Sequence, residues 1–130
     1  MASTRKRIVN KLDRVFSEYI RERDERCVCC GSKERLQCGH LFTRAAYSTR
    51  WNTFNAYCQC ASCNLRTEYD PGPLTSYFIR KYGIEAYDAL HMLHRKPKKF
   101  TNADLEVMCE NFRERLRVMR EKKSNSQGYV

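Results

Sequence analysis

Two Cys-x-x-Cys pairs constrain the fold of this chain more than any other feature of its sequence. The first pair is Cys27 and Cys30, and the second is Cys60 and Cys63. Each Cys-x-x-Cys turn presents two thiolates from one short loop, so two such turns supply the four tetrahedral sulfur ligands that zinc prefers. The sequence therefore predicts one structural zinc ion per chain, held by these four residues.

The cysteine-rich segment is too poor in aliphatic side chains to fold by hydrophobic burial alone. Its large aliphatic residues between Cys27 and Asp70 are Val28, Leu36, Leu41 and Leu65. A structural zinc ion contributes ~10–16 kcal/mol of apparent binding free energy in small domains, which is enough to offset such a deficit. We therefore expect the folding of residues 27–70 to depend on the metal.

The remaining cysteines leave one alternative for the ligand set. Cys29 and Cys58 offer competing pairs, so a mixed ligand set is the alternative. In the preferred register Cys29, Cys38 and Cys58 are spare thiols.

The sequence contains no apolar run long enough for a signal peptide or a membrane helix, so we expect a cytoplasmic protein without a membrane partner. In a reducing cytoplasm, cysteines are metal ligands or free thiols rather than disulfides.

Positive charge is spread along the whole chain. The 130 residues carry 25 Lys and Arg against 15 Asp and Glu, which gives a formal net charge of +10. Basic residues exceed acidic ones before Cys27, between Cys27 and His94, and after His94, so the excess is not one local tail. This distribution favours DNA or another nucleic acid as the partner. A basic surface that only confers solubility is the alternative.

Apolar residues recur at helical spacing on both sides of the cysteine-rich segment. The predicted parts are a helix over 1–26, a zinc-binding core over 27–70, helices within 74–94 and a helix over 101–123 that begins at a Thr101-x-x-Asp104 capping box. The polar residues 124–130 are predicted to be a disordered tail. The matching stripes of the terminal helices predict that they pack together or against the 74–94 helices. The simplest organisation is a single domain over 1–123.

Residues 41–54 are predicted to be an irregular loop between short strands over 33–39 and 57–59. Cations in this loop and in the neighbouring segments are candidate DNA contacts, namely Arg44, Arg50, Arg66, Lys96, Lys98 and Lys99. Trp51 is expected to pack in the core rather than against a base. His91 and His94 are expected to be surface residues, because no acidic or thiol partner lies near them in the sequence.

The polar residues around the cysteines resemble a nuclease motif. His40, Asn55 five residues before Cys60, and Asn64 directly after Cys63 resemble the His-Asn-Asn variant of the HNH motif. The longer pattern of Cys38-Gly39-His40-x-x-Thr43-Arg44 and Gln59-Cys60-x-x-Cys63-Asn64 is similar to the phage NinG/Rap recombination nucleases, and the similarity extends over roughly residues 25–123. This resemblance implies a mostly α-helical protein with a small zinc-framed ββα-metal core (HNH, treble-clef-like) and flanking amphipathic helices.

The resemblance also implies roles for the three motif residues. His40 would be the general base, which agrees with an imidazole that titrates near neutral pH. Asn55 would orient the histidine or the loop that holds it. Asn64 would help to bind a catalytic divalent ion, Mg²⁺ or Mn²⁺.

One position departs from the family pattern. Many HNH sites carry Asp or His immediately before the general base as a metal ligand, whereas this chain has Gly39, which offers no side chain. Either another residue fills that position, with Glu34, Asn52 and Glu68 conceivable, or the ion is held mainly by Asn64, water and DNA phosphate.

Together these features predict a metal-dependent HNH-type DNA endonuclease that acts on branched recombination intermediates such as four-way junctions. The resemblance places it in phage or prophage biology, in the cytoplasm of a bacterial host. A homodimer would suit an enzyme that cuts two strands symmetrically. The alternatives are a non-catalytic zinc-stabilised DNA-binding module and a protein-interaction zinc domain, although the latter leaves the basic charge unexplained.

Overall fold

The computed structural model describes residues 3–127, which form a mostly helical protein with one two-stranded sheet. Its elements in chain order are α1 (Thr4–Asp24), β1 (Leu36–His40), α2 (Tyr47–Arg50), β2 (Ala56–Cys60), α3 (Ala61–Thr67), α4 (Gly72–Tyr82), α5 (Ile84–Arg95) and α6 (Asn102–Gln127). Their contacts divide the described chain into a helical unit, residues 3–23 with 100–127, and a central unit, residues 24–99. The single domain expected over 1–123 stays a prediction.

The helical unit is a pair of long amphipathic helices. The apolar stripe of α1 is buried, and so are four residues of α6, namely Leu105, Cys109, Phe112 and Leu116. The ring of Phe112 lies edge-on to Phe16 with 5.0 Å between centroids, and 5.6 Å from the ring of Tyr19. The prediction that the terminal helices pack together is therefore confirmed.

Local contacts set the start of α6 and support its length. At its start, Thr101 N donates to Asp104 Oδ2 at 2.9 Å and Asp104 N donates to Thr101 Oγ1 at 3.0 Å, which is the predicted capping box. At its other end the helix runs to Gln127, so the predicted disorder is wrong for residues 124–127; residues 128–130 lie outside the described chain. Ion pairs at helical spacing, such as Arg117 with Glu121 at 2.8 Å, favour these last turns.

The central unit is built on an antiparallel hairpin. β1 pairs with β2 in a register that sets Leu36 opposite Cys60 and His40 opposite Ala56. Both strands therefore occur where the sequence placed them, but β1 extends through His40, so the histidine ends the strand. The connection between them contains the single-turn helix α2, where an irregular loop was expected.

Three helices complete the central unit. The Pro71-Gly72-Pro73 segment separates α3 from α4, which begins at Gly72 and has a proline in its first turn. Gly83 ends α4 at φ +91°, a backbone conformation that favours glycine. The core of this unit consists of Leu41, Tyr57, Leu74, Phe78 and Leu90.

Over residues 3–127, no helix combines the length and the apolar character needed to cross a membrane.

Candidate active site and metal centre

The four cysteines of the two Cys-x-x-Cys pairs meet at one point of the central unit. The sulfur atoms of Cys27, Cys30, Cys60 and Cys63 all lie within 4.8 Å of one another. Backbone hydrogen bonds shape the first turn, since Gly31 N donates to Cys27 O at 2.8 Å and Gly31 adopts φ +79°. The second pair lies where β2 ends and α3 begins, and Cys60 Sγ accepts from Cys63 N at 3.5 Å. This is the preferred register of the sequence analysis rather than the mixed set.

The separation of the sulfur atoms fits a zinc ion. Cys30 Sγ and Cys60 Sγ are 3.7 Å apart, and all eight cysteines are free thiols. A tetrahedral zinc–thiolate site with Zn–S bonds of about 2.3 Å requires neighbouring sulfur atoms about 3.8 Å apart. The four residues could therefore coordinate a structural zinc ion with little rearrangement.

The thiols of this cluster differ in acidity. Burial raises the pKa of Cys27, but hydrogen bonds from the backbone of Cys60, Cys30 and Cys29 outweigh this effect and lower its pKa to about 7. Burial and the neighbouring thiols raise the pKa of Cys63 far above the ordinary thiol value. Cys27 is thus more easily deprotonated than Cys63, and a bound cation would stabilise the thiolate forms of both.

The spare cysteines lie outside this cluster. Cys29 Sγ accepts from Gln59 Nε2 at 3.4 Å, and burial raises the pKa of its thiol. Cys58 is fully buried in β2. Cys38 is half-buried, and its side chain lines the cleft described next.

An open cleft of about 590 Å³ lies on the central unit, between the hairpin and α3. Its lining includes the polar side chains of Cys38, His40, Thr43, Arg44, Asn64 and Glu68. The structure therefore brings the first and last residues of the His-Asn-Asn motif to one surface, although they are distant in sequence. The middle residue, Asn55, is fully buried instead.

His40 is held by the backbone at the end of α2. Its Nε2 atom is 2.9 Å from the carbonyl oxygen of Arg50. A carbonyl oxygen can only accept a hydrogen bond, so Nε2 carries the proton of the neutral ring. Nδ1 is therefore the basic nitrogen of His40.

Asn55 closes the loop that supplies this carbonyl. Its Oδ1 atom accepts from Phe42 N at 2.8 Å, and its Nδ2 atom donates to Phe42 O at 3.0 Å and to Thr49 O at 3.1 Å. The side chain thus ties both ends of the 41–54 loop together, next to the residue whose carbonyl holds His40. Asn55 is a positioning residue, since it reaches neither the cleft nor the solvent.

The absence of a side chain at position 39 is a consequence of packing. A Cβ atom on Gly39 would lie 1.9 Å from Gln59 Oε1 and 2.9 Å from Asn64 Oδ1. The first distance is far below van der Waals contact, so the amide of Gln59 occupies the space that an Asp or His at position 39 would need. The backbone of Gly39 has no positive φ, so its glycine is required by this close approach alone.

Asn64 is the middle residue of α3, Glu68 caps the end of that helix one turn later, and both residues line the cleft. Asn64 Nδ2 donates to Gln37 Oε1 at 2.9 Å, which fixes the orientation of its amide. Of the three residues considered as replacement metal ligands, Glu68 is the one in the cleft lining. Asn52 is used locally instead, since its Oδ1 atom accepts from Phe54 N at 2.9 Å.

The predicted DNA contacts are distributed over the central unit. Arg44 lines the cleft, whereas Arg50, Arg66, Lys96, Lys98 and Lys99 do not. The guanidinium of Arg50 lies 5.3 Å from the ring centroid of Trp51 and 5.5 Å from that of Tyr47. Trp51 is buried, as expected of a core residue. Arg66 is exposed on α3 and pairs loosely with Asp70 at 3.5 Å, and the three lysines are exposed.

The two histidines of α5 differ in environment. Both rings stack on Phe42 with 5.0 Å between centroids. His91 is exposed, as predicted, but His94 is half-buried, with Nδ1 3.2 Å from Thr49 Oγ1, so the prediction of a surface residue is wrong for His94. Burial, followed by the nearby His91, lowers the pKa of His94.

Sequence reasoning missed the part played by Gln59. This residue is fully buried, its Nε2 atom donates to Thr67 Oγ1 at 2.9 Å, and its Oε1 atom has no hydrogen-bond partner among residues 3–127. The sequence did contain a signal, namely Gln59 directly before the zinc-ligand candidate Cys60 together with Gly39 directly before His40. Neither residue by itself indicates that the Gln59 amide occupies the space a side chain at position 39 would need.

Comparison with known proteins identifies the family. A family model described as "Bacteriophage Lambda NinG protein" matches residues 2–123. "Protein ninG" of Salmonella phage P22 is 25% identical over 123 residues, and "Protein ninG" of Escherichia phage lambda is 26% identical over 123 residues. Each alignment covers 91% of this chain and 60% of the relative, so the chain spans about three-fifths of the length of these curated proteins. No solved structure matches the chain. Since the family model covers nearly all of its residues, the chain belongs to the NinG family.

Proposed function

We propose that this chain is a metal-dependent DNA endonuclease of the HNH class that hydrolyses phosphodiester bonds in branched DNA. The observation that carries the proposal is the shared cleft of His40, Asn64 and Glu68, next to a four-cysteine cluster. A base, oxygen ligands for a cation and a stabilised hairpin–helix frame are the parts that metal-assisted phosphodiester hydrolysis requires.

The cysteine cluster supports the frame of this site. A zinc ion bound by the four thiolates would join the first turn to the end of β2 and the start of α3. Asn64 extends from α3, and His40 ends β1, which pairs with β2, so the metal would fix their relative positions without touching the substrate. This role is structural, because all four ligands come from the protein and no coordination position is open.

His40 is the general base of the proposed mechanism. The hydrogen bond from Nε2 to Arg50 O orients the ring and leaves Nδ1 to accept a proton. Nδ1 takes a proton from a water molecule as its oxygen attacks the phosphorus. The bond from phosphorus to the leaving oxygen breaks, and that oxygen takes a proton from solvent water in the open cleft. The backbone carbonyl accepts from Nε2 throughout, so it also stabilises the imidazolium that forms.

Asn64 and Glu68 are the residues that would hold a catalytic divalent ion. Amide and carboxylate oxygens are ligands that Mg²⁺ and Mn²⁺ prefer, and the two side chains line the same cleft. Such an ion, when bound, supplies positive charge that stabilises the negative charge developing on the phosphate. Arg44 in the same cleft would bind a phosphate oxygen of the substrate.

Branched DNA is the proposed substrate class. The basic charge of the chain supports nucleic-acid binding through phosphates, which carries no sequence information. The resemblance to recombination nucleases favours four-way junctions and related structures over linear duplex. Two copies of the chain would allow paired cuts in the two strands of a junction.

A cleavage assay on matched variants tests the proposal. Purified protein is incubated with a synthetic four-way junction and with linear duplex of the same sequence, with Mg²⁺, with Mn²⁺ and with chelator. Wild type should cut the junction only with a divalent ion, and His40→Ala should lower the rate roughly 10²–10⁴-fold while zinc content and DNA affinity are retained.

His91→Ala is the matched control, because His91 is an exposed histidine of the same unit. It should cut at the wild-type rate. A His40→Ala protein that is folded and zinc-loaded and cuts as fast as wild type would refute the assignment. Junction binding without cleavage under any of these conditions would instead identify a zinc-stabilised DNA-binding module.

A further inference from the structure

We propose that Gln59 supplies the metal ligand that the glycine at position 39 cannot. In this assignment, which rests on the proposed nuclease function, Gln59 Oε1 and Asn64 Oδ1 both bind the catalytic divalent cation. Gln59 is part of β2 and Asn64 is part of α3, so the two oxygens approach the same position from different elements.

The orientation of the Gln59 amide follows from its hydrogen bonds. Thr67 Oγ1 donates its proton to Cys63 O at 2.9 Å, so it can only accept from Gln59, at 2.9 Å. The nitrogen of the amide therefore faces Thr67, and the oxygen faces Gly39. The remaining contacts of the side chain, to Cys29 Sγ at 3.4 Å and Cys63 O at 3.5 Å, are also made by the nitrogen.

The oxygen is left without a hydrogen-bond donor. Gln59 is 0% exposed, and Oε1 has no partner among the residues that the structure describes. A buried carbonyl oxygen without a donor is unfavourable, because it has lost its hydrogen bonds to water. Binding a cation would compensate for this loss, whereas the packing of the hairpin supplies no donor to Oε1 among the described residues.

The oxygen also lies at the right place in the site. It is 1.9 Å from the position of a Cβ atom on residue 39, the residue that ligates the metal in many HNH sites, and Asn64 Oδ1 is 2.9 Å from the same position. Two amide oxygens thus converge beside the strand that ends at His40. The ion would reach Oε1 from the open cleft that Asn64 and Glu68 line, where water and phosphate could complete its coordination.

This assignment is tested by measuring Mn²⁺ binding to the zinc-loaded full-length chain in the absence of DNA. Calorimetry and electron paramagnetic resonance give the affinity. Gln59→Leu removes the oxygen and should weaken Mn²⁺ binding at least tenfold. Cys29→Ala is the matched control, because it removes a weaker hydrogen bond of Nε2 and leaves Thr67 to orient the amide. It should weaken binding much less than Gln59→Leu does.

Two further variants keep the test decisive if Gln59→Leu does not fold. Gln59→Glu places a charged oxygen at the same position and should bind Mn²⁺ more tightly than wild type. Gly39→Asp should be poorly tolerated alone, because its Cβ meets the Gln59 amide, but it should restore Mn²⁺ binding when combined with Gln59→Ala.

The outcomes separate this inference from the proposed function. Equal Mn²⁺ affinity in wild type and Gln59→Leu, an equal loss in Gln59→Leu and Cys29→Ala, or no Mn²⁺ binding by wild type would overturn the assignment. Junction cleavage that depends on His40 would still support the nuclease in the first two cases. Conversely, Mn²⁺ binding that requires Gln59 in a protein that cuts no DNA would support the ion site and refute the nuclease.

Discussion

Replacing Asn55 with alanine should destabilise the central unit through the loop that positions His40. The side chain is 0% exposed and makes three hydrogen bonds, one accepted from Phe42 N and two donated to Phe42 O and Thr49 O. These bonds hold the start of the 41–54 loop against α2. Arg50, which holds His40 through its carbonyl, directly follows Thr49 in that helix.

The size of the effect follows from the number of bonds. A hydrogen bond contributes about 0.5–1.5 kcal/mol net, so the loss of three should lower the free energy of unfolding by roughly 1.5–4.5 kcal/mol. Alanine cannot satisfy the three backbone groups, and Thr49 is itself fully buried. Against a typical stability of about 5–15 kcal/mol, this loss is large.

Urea denaturation of the zinc-loaded protein measures the change. Asn52→Ala is the matched control, because Asn52 lies in the same loop and accepts a single hydrogen bond, from Phe54 N. It should cost only about 0.5–1.5 kcal/mol. Asn55→Asp should be at least as destabilising as Asn55→Ala despite its equal size, because a carboxylate has no proton to donate to the two carbonyl oxygens.

The reasoning would be refuted if Asn55→Ala lost no more stability than Asn52→Ala, or if Asn55→Asp were as stable as wild type. In either case the three hydrogen bonds would not be the reason that an asparagine stands at this position.

Three further predictions concern the metal, pH and DNA. Cys60→Ser should lose zinc and cooperative unfolding together, whereas Cys109→Ala should keep its zinc by elemental analysis; a folded, zinc-free wild type would contradict this. The pKa of His94 in the folded protein lies below its ordinary value of about 6.5, so folding favours the neutral ring. The resulting stability is fully present above pH 6.5 and is lost as the pH falls through the pKa of the folded protein. Thermal melts should show a steeper acid loss for wild type than for His94→Gln, and parallel curves would refute it. DNA affinity should fall on the order of tenfold or more from low to physiological salt, with a smaller salt dependence in Arg44→Ala; a flat salt dependence would exclude phosphate-dominated binding.

The sequence by itself determined those features that depend on local spacing. Two Cys-x-x-Cys turns indicated the ligand set of Cys27, Cys30, Cys60 and Cys63, because the geometry of each pair is set within four residues. Apolar periodicity predicted the long helices, and the Thr101 capping box marked the start of the last one. The end of that helix was predicted too early, since the apolar stripe stops before the helix does.

Only the tertiary structure decided which polar atoms meet in the site. The register of β1 with β2 sets Gly39 opposite Tyr57 and diagonal to Gln59, whose amide occupies the space of the missing side chain. The packing of α3 places Glu68, rather than Glu34 or Asn52, in the cleft. Gln59 lies 20 positions after Gly39 and Glu68 lies 28 after His40. A shift of one residue in strand register would turn each strand side chain to the other face. Local sequence carries no information on that register, which is why the roles of Gln59 and Glu68 required the folded chain.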